Sequence, residues 1–183
     1  MRRRFAFDLP LQAPRIRQAR ADDVAALARV SLDTWRLTYS GILPAGYLER
    51  MSLTEQEMQR RRLMASPGTA HFLAEEPFTG EAVAFASCGP ARIRAEFGVG
   101  EVYELYVQHG FQRQGLGRAL LGAARDWLAR RGERELVIRV LMDNPARGFY
   151  ERLGGRPAGV RTIRVGGALV EEAAYVWSDL KPT

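Results

Sequence analysis

The sequence predicts a single domain of mixed α/β or α+β class. Three observations carry that expectation. Short apolar strand-like segments alternate with amphipathic helical ones, glycine and proline pairs separate them, and no internal repeat or low-complexity linker divides the chain. A length of 183 residues suits one domain with a substantial core. With 46% hydrophobic and 26% charged residues, the composition is that of an ordinary globular enzyme.

In chain order, residues 1–14 read as an N-terminal arm closing at Pro14, and residues 15–183 as the domain. Arg15 to Gln18 form a short first strand. A helix opens at Ala21-Asp22-Asp23, with Val24, Leu27, Ala28 and Val30 apolar, and runs through Trp35 to Tyr39. Ser40-Gly41 and Pro44 break it. A mostly polar helix spans Leu53 to Ala65, with capping residues near Ser52 and Thr54. His71–Glu75 and Ala82–Cys88 flank a turn at Thr79-Gly80 and read as an antiparallel hairpin.

Glu101 to Gln108 is the next strand, after a loop over residues 91–100. A helix from Gly115 to Arg131 carries Leu116, Leu120, Ala124 and Leu128 at i, i+4 spacing and stops at Gly132. Leu136 to Leu141 is apolar enough for a strand buried on both faces. Asn144-Pro145 begins a short helix ended by Gly154-Gly155. Two last strands, Gly159–Val165 and Val170–Trp177, are joined at Gly166-Gly167.

Charge and cysteine usage exclude several classes. Lys and Arg exceed Asp and Glu by 27 to 21, a net +6, so the surface attracts anions. The basic residues are interspersed with acids, and only Arg2–Arg4 and Arg60–Arg62 form runs, read as solvated faces. Without an aromatic-plus-basic stripe, no nucleic-acid partner is expected. The lone Cys88 cannot form an internal disulfide and reads as a buried small hydrophobe. His71 and His109 stand far apart with no ligand beside them, so no metal is expected. No stretch approaches the roughly 20 apolar residues of a membrane span, and the first residues lack a signal-like apolar run. The expectation is a cytoplasmic protein that does not engage a membrane.

The stretch ELYVQHGFQRQGLGR, residues 104–118, is the most informative. A strand passes through a polar turn into Gln112-Arg113-Gln114-Gly115-Leu116-Gly117, and a helix follows at once. Glycines there let backbone N–H groups approach a diphosphate, and the helix dipole favours negative charge at that end. Arg113 and Arg118 add cationic side chains. The second informative segment is NPARGFYERLGG. Phe149 and Leu153, four apart, face the core together, while Tyr150 is rotated by about 100° and can point elsewhere.

These two segments, spanning about residues 101–157, resemble the cofactor-binding half of the GNAT superfamily of acyl-CoA-dependent N-acyltransferases. The Q/R-x-x-G-x-G/A hallmark matches at Gln112, Gly115 and Gly117. The Asn-plus-aromatic pattern matches at Asn144, Phe149 and Tyr150. Gly155 departs from it, because many members carry an aromatic residue there. The segment TWRLTYSGILPAGYL resembles, more loosely, the acceptor-side helices of bacterial members.

The resemblance implies a twisted mixed sheet of about six to seven strands, flanked by helices, whose strands bearing Glu104 and Val137 splay apart. It implies acetyl-CoA as co-substrate, with no metal. Leu105, Tyr106 and Val107 would pair their backbone with the pantetheine arm, as an added strand does. The N–H groups of Gln112, Arg113, Gln114, Gly115, Leu116, Gly117 and Arg118 would cradle the pyrophosphate. Asn144 would contact the cofactor arm, and Tyr150 would sit near the thioester sulfur.

The chemistry then needs a base for an amine whose reference pKa is near 10.4, an acid for the departing thiolate, and an N–H donor for the carbonyl oxygen. Strand backbone near Val107 is available as that donor. Tyr150 is the expected acid and Glu104 the expected base, with Glu101 in reserve. Strict alternation would place Val102, Glu104 and Tyr106 on one face and Glu101, Tyr103 and Leu105 on the other. Trp35 and Tyr39, four apart, could wall the substrate cleft. The expected activity is N-acetyl transfer to a primary amine, small molecule or peptide, in a ternary complex. The alternative is a catalytically silent CoA-binding sensor or assembly module. The acceptor's identity stays open, as does a homodimer.

Overall fold

The computed structural model describes residues 14–92 and 98–181, so the expected arm, apart from Pro14, lies outside the described residues. The first half of the fold comprises β1 (Arg15–Gln18), α1 (Val24–Thr38), α2 (Ala45–Arg50), α3 (Leu53–Met64), β2 (Ala70–Glu75), β3 (Ala82–Pro90) and β4 (Val99–Val107). The second comprises α4 (Leu116–Arg130), β5 (Glu135–Leu141), α5 (Arg147–Arg152), β6 (Arg156–Val165) and β7 (Ala168–Trp177).

All seven strands form one mixed sheet in the order β1-β2-β3-β4-β5-β7-β6. Neighbours are antiparallel except β4 and β5, which run parallel. That pairing covers only Val99–Val102 against Glu135–Ile138. Beyond it β4 continues to Val107 and β5 to Leu141 unpaired with each other, so the strands part as the resemblance implied.

Helix α4 covers one face. Its Leu116, Leu120, Ala124 and Leu128 are all buried, joining Val102, Ile138 and Val140 in the main core. Helix α1 covers the other face, with Leu27 and Val30 against Leu73 and Phe85. Its start is tied to β1 by the Arg17 fork, which donates to both Asp23 oxygens at 2.7 Å. The same carboxylate accepts from the Arg20 N–H at 2.7 Å, and the Arg17 contact first of all holds Asp23 below its usual value. Helix α3 begins with a capping box, in which Ser52 Oγ accepts from the Glu55 N–H at 3.2 Å.

Two expectations need amendment. Helix α2, six residues after Pro44, fell where the sequence reads only as a break; a helix this short shows no periodicity, and it is held by burying Leu48. Asn144 and Pro145 precede α5 and do not begin it. Asn144 Oδ1 instead accepts from the Ala146 N–H at 2.8 Å, forming a side-chain turn, and the helix proper starts at Arg147. Gly155 faces the Trp177 indole so closely that a Cβ would lie 2.6 Å from it. Trp177 thus fills the space beside Gly155, and its Nε1 donates to the Leu153 carbonyl at 2.8 Å.

Candidate active site

The site forms where β4 and β5 diverge. On β3, Ser87 stands opposite Glu104 but Cys88 stands opposite Val102, so Tyr103 is an inserted residue, a β-bulge. Glu101 faces Gly89 and Glu104 faces Ser87, two apart on β3. Both carboxylates therefore share a face, although three positions separate them. Glu104 and Tyr106 do lie together, as expected. Val102 does not join them; it packs under α4 with Cys88, Leu105 and Val107. The strict alternation expected from the sequence fails at the bulge, which leaves no signature in residue type.

Both Glu104 oxygens accept from the Arg60 guanidinium, on α3. Arg60 is 1% exposed, and its guanidinium lies 5.4 Å from the centre of the Phe85 ring. Burial works against the Arg60 charge, and the Glu104 carboxylate overcomes it, holding the guanidinium above its ordinary value. Reading Arg60–Arg62 as a solvated run is thus corrected for its first member. The signal was the i, i+4 series Gln56, Arg60, Met64, in which Gln56 Oε1 also meets Ser31 Oγ on α1 at 3.1 Å. Beside the pair, His71 Nδ1 and Ser87 Oγ lie 2.8 Å apart, continuing the row across β2 and β3. Burial pushes the His71 imidazole below its ordinary 6.5.

Glu101 is fully committed. It accepts from the Arg92 N–H at 2.8 Å and from Arg92 Nη2 at 2.7 Å. Its side chain is 1% exposed, against 13% for that of Glu104. Of the two candidates, Glu104 is the less sealed.

The two helical aromatics are drawn into the same cluster. Trp35 Nε1 donates to the Tyr106 hydroxyl at 2.8 Å, and the Trp35 and Tyr39 rings are 4.7 Å apart. Asn144 Nδ2 donates to the Tyr39 hydroxyl at 3.0 Å, so the turn after β5 is clasped to α1. The Tyr150 ring is buried among Phe149, Tyr175 and Trp177, at centroid distances of 5.2, 6.0 and 6.4 Å. Burial first, and the nearby Tyr39 phenol second, push the Tyr150 phenol well above its ordinary value. Its hydroxyl has no hydrogen-bond partner among the described residues and is not fully sealed from solvent. Cys88 is fully buried, and burial pushes its thiol up to about 12, which removes it as a nucleophile.

The turn after β4 is braced by side chains. Gln112 Nε2 donates to the Val107 carbonyl at 3.1 Å and Gln114 Nε2 to the Gly110 carbonyl at 3.2 Å. Arg113 and Gly115 have φ of 64° and 87°, the left-handed region that turns successive N–H groups to one side. From Arg113 to Arg118 the backbone N–H groups bond to nothing within the described chain. They open at the N-terminus of α4, with the exposed Arg113 and Arg118 flanking them. Gly115 serves the turn, but Gly117 serves packing, since a Cβ there would lie 3.1 Å from Phe149.

The turn and the parted strands fit a CoA-type cofactor. Unpaired N–H groups and two free arginines match a diphosphate, and the bare edge of β4 matches an extended amide chain. Among the described residues, no cluster of three or more His, Cys, Asp or Glu could hold a metal ion. Nor is any helix long and apolar enough to cross a membrane.

Comparison with known proteins agrees with this fold. A model of the acetyltransferase (GNAT) family matches residues 32–155. An uncharacterised N-acetyltransferase of Bacillus subtilis, YuaI, is 32% identical over 165 residues, 90% of this chain and 93% of that protein. The PaiA N-acetyltransferase of Thermoplasma acidophilum, solved with coenzyme A, superposes with a TM-score of 0.67 at 19% identity, covering 88% of this chain and 98% of that one. YncA of Salmonella typhimurium, solved with acetyl-CoA, gives 0.68 at 21%, covering 91% and 94%.

Proposed function

Because the chain belongs to the acetyltransferase (GNAT) family and is an acyltransferase, we propose that it moves an acetyl group from acetyl-CoA to a primary amine, with both substrates held on the protein at once. The reading is supported by one convergence: the strand that carries Glu104 parts from β5 and leads directly into the row of unpaired N–H groups. When bound, acetyl-CoA supplies a thioester open to attack by an unprotonated amine.

The N–H groups of residues 113–118, with Arg113 and Arg118, hold the diphosphate; the Gln112 N–H, expected to join them, is already given to the His109 carbonyl at 3.3 Å. Leu105, Tyr106 and Val107 offer the free edge of β4 to the pantetheine amides, and a backbone N–H there serves the carbonyl oxygen. Asn144 works on the cofactor side chiefly by fixing the turn after β5 against Tyr39.

Glu104 takes the amine proton, directly or through a water. A carboxylate has about four lone-pair sites, and the Arg60 fork occupies two, so two remain for the amine. Arg60 is a positioning residue that fixes the carboxylate plane. Tyr150, kept protonated by its burial, presents its hydroxyl hydrogen to the departing thiolate sulfur as the expected acid. Trp35 and Tyr39 wall the acceptor side.

The test is a screen of small amines and peptides with detection of free CoA thiol. Release that depends on both acetyl-CoA and an amine is expected. Tight CoA binding with no transfer to any amine would instead favour the silent sensor.

A further inference from the structure

Arg139 lies on β5 one residue beyond the last position paired with β4. Its neighbours Ile138 and Val140 point into the core beneath α4. Val137 and Leu141 point the other way, Leu141 into the cluster that contains Tyr39 and Trp35. Alternation therefore puts Arg139 on the face of Glu101 and Glu104, at the point where the strands part.

The arginines around it on that face are paired: Arg60 with Glu104, Arg92 with Glu101, Arg161 with Glu172. Arg139 has no carboxylate partner among the described residues. It is half-buried, and its Nε, like that of Arg60, is sealed from solvent with no acceptor among them, but unlike Arg60 its guanidinium has no other partner there either. A buried guanidinium without a partner is unfavourable, and its two Nη groups, which are not sealed, are open to an acceptor from outside the chain. The cofactor diphosphate is a poor fit for that acceptor. The glycine turn follows the end of β4, four residues or roughly 13 Å of strand beyond the level of Arg139, and it leads into α4 on the opposite face.

We propose that Arg139 binds an oxyanion, carboxylate or phosphate, carried by the acceptor amine. The planar guanidinium fork suits either group. One small molecule would then bridge the parted strands, its amine at Glu104 on β4 and its anionic end at Arg139 on β5. This inference rests on the acetyltransferase reading above for the amine, but the anion site stands on its own geometry.

The experiment uses CoA-loaded and acetyl-CoA-loaded protein with matched probes: L-leucine against L-leucinamide, and O-phosphoethanolamine against ethanolamine. Equilibrium binding and acetyl transfer are both measured, in the natural protein and in Arg139→Met and Arg139→Lys. In at least one pair, the anionic member is expected to win by about tenfold or more, the scale of a charge-assisted hydrogen bond. Which pair shows the preference distinguishes carboxylate from phosphate. Arg139→Met should bring that ratio close to one, and Arg139→Lys should keep part of it. Equal binding of the neutral twins to the natural protein, or a preference that survives in Arg139→Met, would overturn the proposal. Anion-selective binding without any transfer would uphold the site and sink the acetyltransferase reading.

Discussion

The proposed cofactor side and the proposed acceptor side of the cleft are built by different means. The cofactor side is local and made largely of backbone: one strand end, a braced turn with two left-handed residues, and the first turn of α4, all within residues 104–118. The acceptor side is assembled from side chains far apart in sequence. Arg60 reaches Glu104 across 44 positions, Trp35 reaches Tyr106 across 71, and Asn144 reaches Tyr39 across 105. A backbone cradle suits a ligand whose diphosphate never changes, whereas interlocked side chains can be exchanged to suit different amines.

Substitutions should divide along that line, and the largest effects belong to the acceptor side. Glu104→Gln should lower kcat/KM by about 10²–10⁴-fold, the range for a positioned base, while CoA affinity stays near that of the parent. It also leaves the buried Arg60 unmatched, which costs about 3–5 kcal/mol of stability in a chemical denaturation curve. Adding Arg60→Met should recover most of that stability and none of the turnover. Full activity in the double variant would remove Glu104 from the chemistry.

Tyr150→Phe should lower kcat by about 10²-fold or more, with CoA binding little changed, because the ring packing is preserved and only the hydroxyl is lost. Equal losses in kcat and CoA affinity would move Tyr150 to the binding side of the comparison. Gly115→Ala should act the other way round. A Cβ at a φ of 87° costs about 1–2 kcal/mol, and the strain falls on the N–H row, so CoA affinity weakens while kcat at saturation is largely kept. Arg113→Ala should weaken CoA most at low salt, which a titration series would show as a flatter salt dependence.

The smallest effect concerns pH. The fold holds His71 below its ordinary 6.5, so in the window just under that value the unfolded chain binds more protons than the folded one. Stability is present above pH 6.5 and declines as pH falls through the window, by at most about 1.4 kcal/mol per pH unit. Thermal melts at pH 7.5 and 5.5 should therefore differ, and His71→Gln should narrow the difference. An unchanged difference would move the effect to another group.

The seven strands and four of the five helices were legible because their signals are local. Alternation marked the hairpin at Thr79-Gly80, i, i+4 leucines marked α4, and the glycine turn marked the strand-to-helix passage. Helix α2 was too short to show a period. The members proposed for the site could be named from the sequence, but their wiring could not. Glu104, Tyr150, Trp35, Tyr39 and Asn144 could be named, yet the bulge at Tyr103 that turns Glu101 onto the face of Glu104 depends on pairing with β3. Arg60 was hidden for a similar reason. An arginine inside a run of three reads as solvated, and the i, i+4 series Gln56, Arg60, Met64 gains meaning once α3 packs over Phe85.

The most direct test is a crystal structure of the chain with CoA bound. The pyrophosphate should lie within hydrogen-bonding distance of N–H groups between Arg113 and Arg118, and the sulfur should lie between the parted strands next to the Tyr150 hydroxyl. A pyrophosphate bound elsewhere, or a sulfur remote from Tyr150 and Glu104, would contradict the account.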